Sequence, residues 1–324
     1  MPASHLFLGI DGGGSSTRAV LSDSEGRVLG IGSAGPSNPF SSGLEGSRTA
    51  IDLAVGRAFS TAGVPRAPAA GACLGIAGLV TPVQEQGLRE VAENLSLGLD
   101  ILIHHDLRIA LTGSLLGTPG AVLVAGTGSA CYARSAGGRE VITGGKGPLA
   151  GDSGSGYWIA HRALRTAVKQ LDGRLRTGPL AVAVLDYLGI NKASQLPGRL
   201  HREGLTPSKL AGFAPRVIAL AAEGDEVAAS IIGAAQEALT AMVEAAARQA
   251  WLESLNLVFA GGIATSEPFG TGLRDRILKI LPDTTFPSSA LPPAGGAVLE
   301  AFMSAGIEIT SDGVERLQDG LQSL

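Results

Sequence analysis

Two turns of the same design constrain what this chain can fold into. In each, an apolar run of strand character stops at a cluster of glycines and hydroxyl side chains: residues 11–17 read DGGGSST and residues 126–129 read GTGS. They stand about 115 residues apart, which suggests an internal repeat. Glycine lets backbone N–H groups approach an oxygen-rich ligand, and the hydroxyls add further donors. Two such turns predict a duplicated fold that binds a polyphosphate from both sides.

Composition limits the classes of protein that need be considered. The 324 residues are enough for two domains with full cores, and 45% apolar with 17% charged residues is typical of stable globular folding. The net charge of −4 and the lack of a Lys/Arg run argue against a nucleic-acid partner. The chain shows neither a signal peptide nor an 18-residue apolar run. Cys73 and Cys131 are expected to be buried, unpaired thiols in a reducing compartment. We therefore expect a cytoplasmic protein with no membrane partner.

Apolar periodicity and turn residues give the order of elements. The first half reads β-β-β-α-β-α-β-α, with strands at 6–10, 17–22, 27–33, 71–77 and 99–104. The second half restarts with strands at 121–125, 129–134 and 139–143, continues through helices over much of 154–250, and returns to a strand at 255–260. We expect an α/β protein with one domain over 1–117 and a second, carrying a helical insertion, over 118–307. The tail at 308–324 is expected to pack back on the first domain.

Polar residues follow several of these strands at their carboxyl ends, where ligands bind in α/β sheets. These residues are Asp11, Asp106, Thr127 and Gly261, and the repeat predicts that all four face one inter-domain cleft. Asp11 is expected to hold Mg²⁺ through water, because Mg²⁺ is a hard cation that keeps water ligands. An Asp-Gly turn without a metal is the structural alternative.

The residues that follow Asp11 are candidates for binding a polyphosphate. In the first turn we expect contributions from Gly12, Gly13, Gly14, Ser15 and Thr17. In the second turn Thr127 and the N–H groups of Gly126 and Gly128 are expected to bind the β- and γ-phosphates. The alternative for the second turn is a type I′ hairpin with no ligand.

Asp106 follows the apolar run 101–103 and two histidines. A carboxylate here could accept the proton of a hydroxyl group as its oxygen attacks a phosphate. An Asp directly before a helix is also an ordinary N-cap, so residue type alone leaves both interpretations open.

The motifs together resemble a known family. Residues 11–14 (DGGG) and 126–129 (GTGS) are similar to the actin-like (ribonuclease H-like) ATPase and sugar kinase superfamily. Residues 151–161 (GDSGSGYWIAH) resemble the eukaryotic-type N-acetylglucosamine kinases and their bacterial relatives, which are grouped with the BadF/BadG/BcrA/BcrD ATPases. The resemblance implies duplicated actin-like domains, MgATP as phosphoryl donor and an amino sugar as acceptor, phosphorylated at its 6-hydroxyl.

The resemblance also implies roles for single residues. Asp106 would be the catalytic base and a substrate contact, and Asn38 and Asp152 would contact sugar hydroxyls. Ser129, Gly145 and Lys146 would border the sugar. Gly261 and Gly262 would pass under the adenine or ribose, with Ala211 near the base. Turn and helix-cap alternatives exist for Asn38, Asp152 and Gly261.

Two departures from the family pattern leave the identity of the acceptor sugar open. Lys146 stands where the animal kinases have tryptophan, and Ser153 stands where many relatives have glutamate. Glucosamine and N-acetylmuramic acid therefore remain alternatives to N-acetylglucosamine. A reductase-activating ATPase is a more distant alternative, because it would need cysteines exposed at a subunit contact. The sequence does not fix the oligomeric state, and a homodimer is one candidate.

Overall fold

The computed structural model describes residues 6–79, 81–202 and 206–322. Its ten strands within these ranges are β1 (Leu6–Gly12), β2 (Thr17–Asp23), β3 (Val28–Ala34), β4 (Ala69–Ile76), β5 (Gly98–His105), β6 (Gly120–Ala125), β7 (Ser129–Arg134), β8 (Glu140–Gly144), β9 (Leu255–Ala260) and β10 (Thr284–Thr285). The helices of the first half and the insertion are α1 (Pro39–Ala62), α2 (Pro82–Asn94), α3 (Asp106–Leu115), α4 (Gly147–Ala150), α5 (Gly156–Leu171), α6 (Pro179–Leu188), α7 (Leu196–Arg202), α8 (Pro207–Ala211), α9 (Ala214–Ala222) and α10 (Glu226–Ala250). Three further helices follow: α11 (Phe269–Ile280), α12 (Pro293–Ser304) and α13 (Ser311–Gln322).

The strands form two five-stranded sheets with the same topology. The order is β3-β2-β1-β4-β5 in one and β8-β7-β6-β9-β10 in the other. In both, the first three strands in chain order pair antiparallel and the remaining two add in parallel beside the first. The predicted duplicated α/β fold is thus confirmed, and each copy belongs to one of two compact units.

The first unit takes its core from strict alternation along its central strand. Leu8 and Ile10 of β1 are fully buried in a cluster with α1 and α2 on one face of the sheet. Phe7 points to the opposite face, as period-2 geometry requires, and its ring meets Phe302 of α12 edge-on at 4.8 Å. The sheet is therefore covered by helices on both faces.

Helix α12 corrects the expected domain boundaries. The second domain was expected to run over 118–307, but the second unit spans Gly120–Phe286, and the chain from Pro287 onward belongs to the first unit. Small residues explain the packing: a Cβ on Gly296 would collide with the Ile109 carbonyl and lie 2.5 Å from the Gly113 nitrogen of α3. Only a glycine-rich helix can approach α3 this closely. Helix α13 also packs in the first unit, against β3 and α12.

The second unit buries its sheet under a helical insertion. Alanines of α5 and α10, such as Ala160, Ala163 and Ala246, are fully buried against β6 and β7 residues including Leu123 and Cys131. Their small side chains let the two helices lie close to the sheet. Within the described ranges, no helix combines the length and the apolar character that crossing a bilayer would take.

Candidate active site

In the first unit, the carboxyl ends of three parallel strands form one edge of the sheet. The register aligns Gly12 of β1 with Ile76 of β4, and Ile76 with His105 of β5. Asp11 and Asp106 therefore stand two strand spacings apart, about 10 Å between backbones. The structure brings these two predicted carboxylates to the same edge.

The pKa values of both carboxylates are raised in the folded protein. Burial, then the nearby charge of Asp106, raises the pKa of Asp11 from 3.8 to about 6, against a smaller opposing effect of Arg18. Burial also raises the pKa of Asp106, although the N–H of Leu107 and the charge of His105 oppose the rise. A carboxylate whose pKa moves toward neutrality can exchange a proton near physiological pH, which suits a general base.

Asp106 takes a position slightly different from the expected N-cap. His105 is the cap residue of α3, without a side-chain cap hydrogen bond, and Asp106 is the first helical residue. Its Oδ1 accepts the N–H of Leu107 at 3.0 Å. Asp106 therefore lies directly between the end of β5 and the first turn of α3.

Arg18 is a site residue that sequence reasoning missed. Cross-strand pairing places Arg18 directly opposite Asp11, and its side chain is exposed. The register of the hairpin could have indicated this position, because pairing Gly12 with Thr17 places Arg18 opposite Asp11. The cation therefore stands beside the carboxylate that is expected to hold Mg²⁺ through water.

The first glycine turn is held by two neighbouring loops. The Gly12 carbonyl accepts the N–H of Ala77 at 2.8 Å, and the Gly13 carbonyl accepts the N–H of Ser37 at 3.1 Å. Gly12 is needed because a Cβ there would collide with the Ser37 hydroxyl. Ser15 is exposed at the tip, as a ligand donor must be.

Thr17 corrects the expectation that it donates to phosphate. Its side chain is fully buried, with Oγ1 2.7 Å from the Gly35 carbonyl and 2.8 Å from Ser37 Oγ. It faces inward because it pairs with Gly12 at the start of β2. Its hydroxyl supports the turn from beneath and is not accessible to a ligand.

Asn38 serves as a helix cap at the same edge. Its Oδ1 accepts the N–H of Phe40 at 2.9 Å and caps the first turn of α1, which begins at Pro39. The helix bends at Gly43, where φ is +67°. The Asn38 amide lies against Gly78, whose missing side chain makes room for it. The capping alternative is thus realised, and the amide group packs against the loop after β4.

In the second unit, the GTG turn is tied to the start of α5. The Gly126 and Thr127 carbonyls accept the N–H groups of Gly156 and Tyr157 at 2.8 and 3.2 Å. Thr127 is exposed at the tip. Neither glycine of the turn has a positive φ, so the alternative of a type I′ hairpin does not hold.

Gly261 brings the second glycine pair against this turn. Its φ is +84°, and a Cβ would lie 2.5 Å from the Ala125 carbonyl that ends β6. That carbonyl also accepts the N–H of Ile263 at 2.9 Å. Ala211 closes the group from the side of α8, where its Cβ lies 3.3 Å from the point that a Cβ on Gly156 would occupy.

Asp152 packs directly on the GTG turn. Its Oδ2 lies 2.9 Å from where a Cβ on Gly128 would be. Asp152 is held at φ +53°, a conformation that non-glycine residues rarely adopt and that tends to occur at functional sites. Burial raises the pKa of its carboxyl, while hydrogen bonds from the N–H groups of Ser129 and Gly147 oppose the rise.

The three other residues predicted to border the sugar differ in their exposure. Ser129 is almost buried, and its hydroxyl donates to the Ser153 carbonyl at 2.9 Å, so it supports the loop and does not face a ligand as expected. Gly145 donates to the Ser129 carbonyl at 2.8 Å. Both Gly145 and Lys146 are exposed, as contacts with a ligand require.

Packing within the protein does not explain why three positions of these turns are glycine. A Cβ on Gly14, Gly126 or Gly262 would meet no atom within 4 Å, and none of the three has a positive φ. Neither packing nor backbone conformation therefore requires glycine there. Close approach of a ligand to the backbone is the remaining physical reason, and it fits the cradle of a nucleotide.

The residues also fit the implied magnesium. Mg²⁺ is usually held by one or two carboxylates, several waters and the substrate phosphates. The described part of the chain has no group of three or more His, Cys, Asp and Glu side chains arranged as a metal site. Asp11, with its buried carboxylate next to Asp106, supplies the oxygen donor that such a water-rich site needs.

Comparison with protein families gives a match over residues 8–301 to the BadF/BadG/BcrA/BcrD ATPase family. The chain belongs to this family. The resemblance drawn from residues 11–14, 126–129 and 151–161 is thereby confirmed. The two cysteines, both fully buried, are not arranged as the exposed ligands that the reductase-activating alternative would need.

Known members of the family are similar along most of the chain. An N-acetylmuramic acid/N-acetylglucosamine kinase of Clostridium acetobutylicum is 30% identical over 79% of this chain and 84% of its own length. An N-acetyl-D-glucosamine kinase of Dictyostelium discoideum is 29% identical over 92% of this chain and 98% of its own. A crystal structure from Chromobacterium violaceum, provisionally named an N-acetylglucosamine kinase, superposes with a TM-score of 0.74 at 30% identity, covering 92% of this chain and 99% of that one.

Proposed function

We propose that this member of the ATPase family phosphorylates an amino sugar with ATP, and that the acceptor is the 6-hydroxyl of N-acetylglucosamine. The observation that carries the proposal is the placement of Asp106 beside Asp11 at the edge formed by β1, β4 and β5. One carboxylate with a raised pKa is available to a hydroxyl, and a second stands where a phosphate-bound cation would be held. The names of the two similar curated kinases support the choice of sugar.

Asp106 acts as the base in this proposal. It accepts the proton of the sugar hydroxyl as the hydroxyl oxygen forms its bond to the γ-phosphorus and the bond to the β–γ bridging oxygen breaks. ADP leaves with the electron pair of that bond, and the sugar becomes a phosphate monoester. Positioning and charge stabilisation supply most of the acceleration in such transfers, so the fixed place of Asp106 on α3 matters as much as its basicity.

Each unit has a glycine turn that offers donors to a nucleotide. In the first unit the backbone of Gly13 and Gly14 and the hydroxyl of Ser15 are available. In the second, the hydroxyl of Thr127 and the open backbone at Gly126 offer donors to the phosphates, and Gly262 leaves space for the nucleoside. Arg18 adds a cation beside Asp11, which would offset charge on the transferred group.

Asp11 would hold Mg²⁺ through water. Bound there, the cation neutralises charge on the phosphates and favours the ionised form of Asp11. Arg18 is the cross-strand neighbour of Asp11, and its charge lowers the pKa of the same carboxyl group.

Asn38 in the first unit and Asp152 in the second are each candidates to contact sugar hydroxyls. Both residues are fixed by backbone contacts: Asp152 by the N–H groups of Ser129 and Gly147, and Asn38 by its cap on α1. Groups held this rigidly lose little entropy on binding, so they can discriminate between similar sugars.

The test is ADP release with three acceptors: N-acetylglucosamine, glucosamine and N-acetylmuramic acid. N-acetylglucosamine is expected to give the highest kcat/KM. Asp106→Asn should lower kcat by about 10²–10⁴-fold with little change in KM for the sugar. Asp100→Asn, a matched change on the same strand β5, should leave both constants unchanged. Near-normal turnover by Asp106→Asn would contradict the base assignment.

N-acetylmuramic acid is the second candidate because Lys146 is an exposed cation in the loop that Asp152 holds. The lactyl carboxylate of that sugar would be attracted to it. Lys146→Met should then raise KM for N-acetylmuramic acid and leave N-acetylglucosamine unaffected. An equal effect on both sugars would remove this candidate.

A further inference from the structure

A cavity of about 700 Å³ lies between α5 and α10 in the second unit, and we refer to it as the α5–α10 cavity. One wall is a stripe of α5 made of Trp158, Arg162, Arg165 and Lys169. These residues follow each other at intervals of four, three and four, so they share one face of the helix. The cavity volume is within the range of small-molecule sites, about 300–1,000 Å³.

The cavity concentrates positive charge in a chain whose net charge is negative. Arg162, Arg165 and Lys169 line it, and none of the three forms an ion pair within the part of the chain that the structure describes. Glu226 is the single carboxylate of the lining. The lining thus carries three permanent positive charges against one negative charge, a net charge that a dianion would balance.

One of the cations is held against an aromatic ring of the same wall. The Arg162 guanidinium stacks on the Trp158 ring, with 4.2 Å from Cζ to the ring centroid. Burial, and then the charge of Arg165, lower the pKa of His161, which keeps the imidazole from adding to the positive charge at neutral pH. Stacking pre-organises one guanidinium, so less freedom is lost when it binds an anion.

The rest of the lining suits a small polar molecule. Thr166 and Ser230 supply hydroxyls, while Val227 and Ile231 of α10 form an apolar wall. Hydroxyls beside arginines are the groups that bind phosphate oxygens, and an apolar wall suits the carbon skeleton of an ester.

The cavity is separate from the turn at the start of the same helix. The first N–H groups of α5, at Gly156 and Tyr157, donate to carbonyls of the GTG turn. No lining residue is among those proposed above to bind ATP or the sugar. An anion in the cavity would therefore be a second ligand.

We propose that the α5–α10 cavity binds a small phosphate monoester, such as a sugar phosphate, through Arg162, Arg165 and Lys169. The net charge of the lining matches a phosphate dianion, and guanidinium groups bind phosphate oxygens in pairs. The choice of N-acetylglucosamine 6-phosphate as a probe rests on the proposed function, but the charge argument does not.

The chain offers a built-in reporter of binding. Trp158 lines the cavity, and the second tryptophan, Trp251, is exposed and stacks on Arg139 elsewhere. Trp251→Phe would leave Trp158 as the sole source of tryptophan fluorescence. This variant is titrated with N-acetylglucosamine 6-phosphate, inorganic phosphate and unphosphorylated N-acetylglucosamine. We expect a saturable change with the sugar phosphate, a weaker one with phosphate and none with the neutral sugar.

Charge removal decides whether the cavity is the site. In the Trp251→Phe background, Arg165→Gln with Lys169→Gln should weaken sugar phosphate binding at least tenfold and leave kcat and KM unchanged. Lys192→Gln with Lys279→Gln removes the same charge from exposed positions outside the cavity and should preserve binding. Binding retained by the first pair, or lost equally in both, overturns the proposal. Loss of affinity for nucleic acid or acidic vesicles, without any binding of phosphate monoesters, also overturns it. Because no step of the assay uses phosphoryl transfer, failure of the proposed kinase activity would be seen separately.

Discussion

Asp11→Asn should make the protein more stable at pH 8 although it is expected to remove function. Burial, followed by the charge of Asp106, raises the pKa of Asp11 from 3.8 to about 6. A rise of roughly two pKa units, at about 1.4 kcal/mol per unit, corresponds to ~3 kcal/mol by which the ionised carboxylate destabilises the folded state. Asparagine keeps the shape and removes the charge. We therefore expect a gain in the free energy of unfolding of up to about 3 kcal/mol at pH 8.

The pH dependence gives the sign of the effect. The folded state holds the Asp11 proton up to about pH 6, whereas the unfolded chain releases it near 3.8. The contribution of Asp11 to the free energy of unfolding of the wild-type protein therefore falls as pH rises between these values. The gain from Asp11→Asn should be small near pH 4 and complete by about pH 7–8.

The assay must observe the first unit. Both tryptophans lie in the second unit, so fluorescence would report the wrong part of the chain. Urea unfolding followed by far-UV circular dichroism, with hydrogen exchange of β1 peptides, measures the relevant opening. In an Asp106→Asn background the gain should be smaller but still present, because burial is the larger cause of the shift. A gain of equal size at pH 4 and pH 8, or a loss of stability at pH 8, would refute the reasoning.

Three further substitutions test the second glycine pair and a buried ion pair of the first unit. Gly261→Ala should lower the free energy of unfolding by ~1–3 kcal/mol and weaken ATP binding, because φ is +84° and the new Cβ would lie 2.5 Å from the Ala125 carbonyl. Gly262→Ala, with open space around the new Cβ, should leave stability unchanged and raise only KM for ATP. Equal melting temperatures for the two variants would contradict this. Glu300→Ala should cost about 3 kcal/mol in urea unfolding at pH 7, because buried Glu300 binds Arg108 at 3.0 Å. Burial raises the pKa of Glu300, but the hydrogen bonds from Arg108 and Thr112 outweigh burial, and the net effect is a lowered pKa. The contribution of Glu300 to stability should therefore disappear as pH falls below the usual glutamate range. A cost that persists at acid pH would argue for packing as its cause.

Local pattern was enough to predict the repeated sheet. Alternation around Leu8 and the glycine turn after it specify β1 and its hairpin partner, and the same pattern recurs around Leu123. The register of a short hairpin is fixed by its turn, so the inward position of Thr17 and the place of Arg18 beside Asp11 could also have been derived. The expectation for Thr17 was wrong because residue type was weighed without that register.

The placement of α12 could not be predicted from local pattern. Its glycine- and alanine-rich face fits a close approach to either sheet, and the choice depends on distant partners such as Ile109 and Gly113. The roles of Ser129 and Asn38 likewise depend on which backbone groups meet their side chains. The sequence supports them as polar residues near a site, whereas their hydrogen bonds to Ser153 and Phe40 appear only in three dimensions.

Phosphorus NMR of a single reaction mixture tests the central claim most directly. The protein is incubated with ATP, Mg²⁺ and N-acetylglucosamine, and the phosphorus signals are followed over time. The account predicts that the γ-phosphate signal is replaced by that of a monoester whose phosphorus couples to the two protons at carbon 6. Formation of inorganic phosphate alone, or of a monoester at another carbon, would contradict it.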